Sequence, residues 1–142
     1  MNLTLEDGLL LSTIEVCYKG KRKILERVVI DSGASHSLIE IDAVSDLGVR
    51  YENGDKLVPH AGIGGVEYSF MKRLDYVKIG DKMFPFVQMD FGHLHGFNIQ
   101  GLIGLDILRS GEFLLDLKNL KLICCDENEV TVTKQNFPAE IA

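Results

Sequence analysis

Short runs of alternating apolar and polar residues, broken by glycine, fill most of this chain. Leu9 to Tyr18, LLLSTIEVCY, divides by parity: Leu10, Ser12, Ile14, Val16 and Tyr18 form a mainly apolar set, and Leu11, Thr13, Glu15 and Cys17 the other. Period-two alternation predicts a half-buried strand. Lys19-Gly20-Lys21 signals a turn, and Lys23 to Ile30, KILERVVI, predicts a second strand closing a hairpin. Ser37 to Leu47 carries Ile41, Ala43, Val44 and Leu47 at spacings that predict a helical turn or two, ending at Gly48. Val49 to Val58 is too polar for a core strand. Gly62, Gly64 and Gly65 flank Ile63 at a predicted hairpin tip, followed by alternation over Val66 to Phe70.

Leu74 to Ile79 and Met83 to Met89 predict two further strands across the turn Gly80-Asp81-Lys82, with Pro85 at a strand start or sheet edge. Asp90 to Asn98 predicts a loop. The end of Ile99 to Leu108, IQGLIGLDIL, predicts a short helix with Gly111 closing it. Phe113 to Leu117 and Leu120 to Cys124 predict a last hairpin, and Val130 to Thr133 is one more candidate strand. Many short strands, glycine turns and one or two short helices predict an all-β barrel or sandwich. The 142 residues suit a single domain, 1–142, with a core over about 9–125 and a tail from 126 to 142. VVIDSGAS and GLIGLDIL echo each other, one apolar run meeting glycine and aspartate in each half.

Composition narrows the function classes. Fifteen Lys and Arg against 21 Asp and Glu leave a net charge of −6, which argues against a nucleic-acid partner. The basic run Lys19-Gly20-Lys21-Arg22-Lys23 sits at a predicted turn and reads as a solvated hairpin tip. Three cysteines, Cys17, Cys124 and Cys125, make no disulfide framework, so a reducing, cytoplasmic compartment is expected. MNLTLEDGLLLSTIEV is interrupted by Glu6 and Asp7 and lacks a basic start, unlike a secretory leader. No apolar run approaches the length of a membrane helix, so no membrane partner is expected.

The candidate chemistry lies in VVIDSGASHSLI, Val28 to Ile39, where an apolar strand runs into a single carboxylate surrounded by small residues. A simple turn would explain Asp-Ser-Gly but not the buried-looking segments on both sides. With the glycine-rich hairpin and Leu102-Ile103-Gly104 downstream, this order resembles the retropepsin-like, single-domain aspartic proteases, in their bacterial and cellular branch. The resemblance covers roughly residues 9 to 125. It implies a closed acid-protease-like barrel with a flap hairpin, and one active-site motif per chain.

It also implies aspartic endopeptidase action on polypeptide by a homodimer, in which Asp31 meets its own symmetry mate and the pair activates a water. Dimerisation is then obligatory for activity, and no cofactor or metal is called for. Ser32 resembles the hydroxyl that ties the two active-site loops together, and Gly33 the glycine whose N–H faces the carboxylates. Ala34 allows close approach, and Ser35 stands where a hydroxyl bonds the outer carboxylate oxygen. Gly62, Ile63, Gly64 and Gly65 correspond to the flap, with Ile63 at its apolar tip, and Leu102, Ile103 and Gly104 to the supporting second motif. Leu105 and Asp106 depart from the Arg-Asn pair of the retroviral members. Asp106 corresponds to a position that enters the short helix and supports the fold.

Other chemistries fit less well. Gly33-Ala34-Ser35-His36-Ser37 fails the G-x-S-x-G nucleophile elbow at its last position, and no alternating βα pattern surrounds it. Gly62 to Glu67 lacks the third glycine and the helix of a dinucleotide loop. His93, His95 and nearby Asp90 offer no full zinc ligand set by spacing, and read as a solvated loop, as does His60. The rival of a different class is a catalytically inactive dimeric peptide-binding or assembly module of the same fold.

Overall fold

The computed structural model describes residues 1–62, 65–95 and 98–124. The predicted strand at Val130 to Thr133, Cys125 and the tail lie outside the described residues. The first elements form a meander whose turns are written in the sequence. β1 (Thr4–Glu6) pairs with β2 (Leu9–Tyr18) across Asp7-Gly8, and β2 with β3 (Lys21–Ile30) across Lys19-Gly20. All four turn residues have positive φ, between 48° and 82°. Two successive left-handed residues match the twist of a hairpin, and Asp-Gly is among its strongest signals. A bulge between Ser12 and Ile14 breaks the register of β2.

β4 (Leu38–Glu40) leads into α1 (Ile41–Val44) and a 3-10 turn (Ser45–Leu47) closed by Gly48 at φ 84°. β5 (Leu57–Gly62) and β6 (Gly65–Arg73) form the predicted glycine hairpin, paired up to Gly62 opposite Gly65. Ile63 and Gly64, its tip, lie outside the described residues. β7 (Tyr76–Ile79) and β8 (Lys82–Pro85) follow, then β9 (Gln88–Gly92), β10 (Gly101–Ile103), α2 (Leu105–Ser110), β11 (Phe113–Asp116) and β12 (Lys121–Cys124).

The chain is all-β with short helices, as expected, but three expectations need correction. The main sheet is an open path, β5-β6-β9-β4-β10-β3-β2-β7-β8, and not a closed barrel: among the described residues β5 and β8 do not meet. The single strand predicted over Met83 to Met89 is two. Pro85 has no N–H to continue the ladder, and Phe86 turns the chain at φ 55°, with its amide bonded to Asp75 O. The loop predicted from Asp90 begins only after Gly92, because Asp90, Phe91 and Gly92 pair in parallel with β4.

The main core gathers Ile14, Val16, Leu25, Val28, Ile30, Val77, Phe84, Met89, Phe91, Ile103 and Ile107. A smaller cluster of Leu11, Val29 and Ile99, with Leu9, Leu94 and Leu102 packed on it, lies on the other side of β3. Val28 and Ile30 serve the first cluster and Val29 the second. That explains why the run before Asp31 is apolar at every position: this end of the strand is buried on both faces. Lys82 is buried as well. Its ammonium donates to Gly111 O at 2.8 Å, at the C-terminal end of α2 where the helix dipole favours a cation.

Candidate active site

The two echoing segments are neighbours. β10 lies between β3 and β4, parallel to β3 with Leu102 opposite Val29, and antiparallel to β4 with Leu102 opposite Leu38. The loop from β3 to β4, residues 31–37, therefore has to cross the end of β10. Asp31 N–H donates to Ile103 O at 2.9 Å, which carries the parallel pairing one residue further. The chain then passes directly over Gly104. A Cβ there would lie 2.7 Å from Ala34 O and 2.9 Å from His36 O, closer than such atoms can come, so the crossing requires glycine.

α2 starts at this crossing and grips the loop from below. Leu105 N–H donates to Ala34 O at 2.8 Å, and Asp106 N–H to Ser35 O at 3.3 Å. The Asp106 carboxylate, 1% exposed, accepts from Ser37 N–H at 3.0 and 3.1 Å, from Ser37 Oγ at 2.7 Å and from Ile107 N–H at 2.9 Å. Ser37 Oγ accepts in turn from Gly104 N–H at 2.9 Å. A buried carboxylate is tolerable when it is fully hydrogen-bonded, and the first turn of a helix favours its charge. Asp106 is thus a support beneath the loop.

Asp31 emerges half-buried, and the Gly33 amide donates to its Oδ1 at 2.9 Å. Ser32, Gly33 and Ser35 are exposed beside it. The backbone carbonyl of Ser35 takes part in the loop's anchorage. Ser37 went unnoticed in the sequence. The signal was thin: one serine among three in six residues, and its partner lies 69 positions away.

A cavity of about 360 Å³ opens in front of Asp31. Leu9, Val29, Ile99 and Leu102, from the smaller apolar cluster, form its floor. Leu94, His93, His95 and, from the glycine hairpin, Glu67 form its rim. The histidines are exposed, as expected, but each has an acidic partner. His93 Nδ1 stands 3.3 Å from Glu40 and 3.9 Å from Asp42, and His95 Nε2 stands 3.4 Å from Glu67. The two rings stack at 5.5 Å. His60 is on β5 rather than in a loop, with its Nε2 2.7 Å from Ser69 Oγ.

Glu40, Asp42 and His93 bring one donor atom each to within 4.8 Å of one another, the one group among the described residues that could hold a metal ion. Glu40 already accepts from the Asp42 and Leu94 amides, and the other two are exposed. That arrangement accounts for the group as an anchor for the 93–95 loop. Cys17 is a free thiol. Cys17 donates to Asp75 at 3.5 Å, and burial, then that carboxylate, push its thiol up, away from reactivity.

The aspartyl protease family profile matches residues 14–107, which spans β2 through α2 and includes Asp31. The chain belongs to the aspartyl protease family. Its fold is similar to that of a retropepsin-like aspartic protease from Rickettsia conorii, with a TM-score of 0.62 over 85% of this chain and 86% of that one, at 22% identity. No curated protein matches the sequence.

Proposed function

We propose that the protein is an aspartic endopeptidase that hydrolyses polypeptide as a homodimer, with Asp31 of each protomer forming the catalytic pair. The observation that carries this reading is a single half-buried aspartate on a glycine-crossed loop, opening onto a cavity with an apolar floor. Two carboxylates about 3 Å apart cannot both ionise, so the pair shares one proton. The ionised member takes a proton from a water as it attacks the scissile carbonyl, and the protonated member donates to the carbonyl oxygen. Collapse of the tetrahedral intermediate returns the proton to the leaving amine, and no covalent enzyme intermediate forms.

In this reading, exposed Ser32 and Gly33 face the partner's loop, where small residues permit the approach. Ala34 and Ser35 complete the loop, and Leu102, Ile103 and Gly104 hold it from behind. Gly62 to Gly65 corresponds in this reading to the flap that closes over the peptide and excludes water during reaction. The free thiol of Cys17 agrees with a reducing, cytoplasmic setting. Among the described residues no helix is long and apolar enough to cross a membrane.

The test is a mass-spectrometric scan of cleavage in a diverse peptide mixture. It runs from about pH 4 to about pH 7.5, the span from acid-shifted pairs to neutrality. Peptides cut by the wild type and spared by Asp31→Asn establish the activity. A confirmed dimer showing no difference from Asp31→Asn refutes it and leaves the inactive binding module. Ser32→Ala is expected to raise the dimer dissociation constant in sedimentation while leaving the urea midpoint nearly unchanged. An unchanged dissociation constant removes Ser32 from the interface.

A further inference from the structure

The cavity before Asp31 has an uneven character. Its floor is aliphatic, yet the strand that roofs it presents Glu67, and no lysine or arginine lines it among the described residues. Glu67 lies on β6 opposite His60 of β5, whose ring is held by Ser69. Its partner among the described residues is His95, at the long distance of 3.4 Å, and both side chains are more than 60% exposed. Behind His95 stand His93, Glu40 and Asp42. With the imidazoles neutral, the mouth of the cavity holds carboxylates alone as charged groups.

We infer that Glu67 makes this cavity a subsite for a basic side chain, lysine or arginine, at a residue flanking the scissile bond. The inference rests on the endopeptidase reading above. A lysine side chain has an aliphatic stem and a cationic head, so Leu9, Val29, Ile99 and Leu102 cover the stem while Glu67 receives the head. A wholly aliphatic side chain would fill the same floor and leave Glu67 without a cation. His95 competes for the carboxylate.

One peptide mixture, doped equally with lysine and norleucine at every position, tests this in two ways. Cleavage by the wild type at about pH 7.5 is expected to favour lysine over norleucine beside the cut, about tenfold more than cleavage by Glu67→Gln does. Glu67→Lys is expected to turn the preference toward glutamate, a gain that misfolding cannot imitate. Equal ratios in wild type and Glu67→Gln, with cleavage present, overturn the subsite and leave the endopeptidase reading intact. The second measurement needs no catalysis: peptides retained on immobilised Asp31→Asn protein are compared with those retained on Asp31→Asn/Glu67→Gln. Lysine enrichment that depends on Glu67, without cleavage by the wild type, upholds the subsite and ends the endopeptidase reading. Its absence in both measurements overturns the subsite as well.

Discussion

Ser37→Ala removes one oxygen from the point where the loop of residues 31–37, β10 and α2 meet. Ser37 and Asp106 are each 1% exposed, so water does not replace what is lost. The substitution deletes the 2.7 Å bond to the Asp106 carboxylate and leaves the Gly104 amide without its acceptor. A hydrogen bond to a charged group contributes about 1.5–3 kcal/mol, and an orphaned buried amide costs about 1–3 kcal/mol. Asp106 keeps the Ser37 and Ile107 amides, which limits the damage. The expected loss is about 3 kcal/mol, a large part of a net stability of about 5–15 kcal/mol. In a domain of this size that corresponds to a Tm drop of about 10 °C. Urea unfolding is the assay, and the midpoint should fall with the m-value unchanged. Ser35→Ala, two residues earlier on an exposed hydroxyl, should stay within about 0.5 kcal/mol of wild type. A Ser37→Ala loss below about 1 kcal/mol, or equal losses at both serines, would refute the assignment of Ser37 and Asp106 as the clamp under the loop.

Gly104→Ala would drive a methyl group to within 2.7 Å of Ala34 O, so the loop must shift; a loss of about 1–3 kcal/mol is expected, with peptide cleavage falling more than stability does. Urea midpoints and cleavage rates measured on one preparation check it, and unchanged cleavage would contradict the crossing. Tyr76 donates to Glu15 at 2.5 Å, and this bond and then burial push its phenol up to about 12. A pKa raised in the folded state contributes stability below the ordinary tyrosine value of about 10 and loses it as pH rises through about 12. Absorbance titration should therefore show one of the four tyrosines ionising late, and earlier in Glu15→Gln. Asp55 and Glu52 are held below the usual carboxylate range, each chiefly by its hydrogen bond from Lys72. Their contribution is present above about pH 4.5 and lost as pH falls through the lowered values. The urea midpoint of wild type should accordingly drop further than that of Lys72→Met between about pH 6 and pH 3, and equal drops would count against the pairing.

What the sequence determined by itself was local. Alternation marked β2 and β3, and glycine pairs marked the hairpins. The uninterrupted VVI before Asp31 announced a strand buried on both faces, and LIGLDIL marked a strand turning into a helix. Each of these depends on residues within a few positions of one another, and chain geometry gives such patterns fixed periods. The order of the motifs carried the family.

Tertiary structure decided the rest. Inserting β10 between β3 and β4 joins residues some 70 positions apart, and only that placement turns Ser37 and Asp106 into a clamp and makes Gly104 irreplaceable. The same holds for β9, whose Asp90-Phe91-Gly92 reads as the start of a loop and becomes a strand because β4 and β6 supply partners on both sides. The open ends of the sheet follow from which edges meet, and Glu67 reaches the Asp31 cavity only because the hairpin folds over it. Hydrogen bonds and packing between distant segments have no period along the chain, so nothing in the local pattern could announce them.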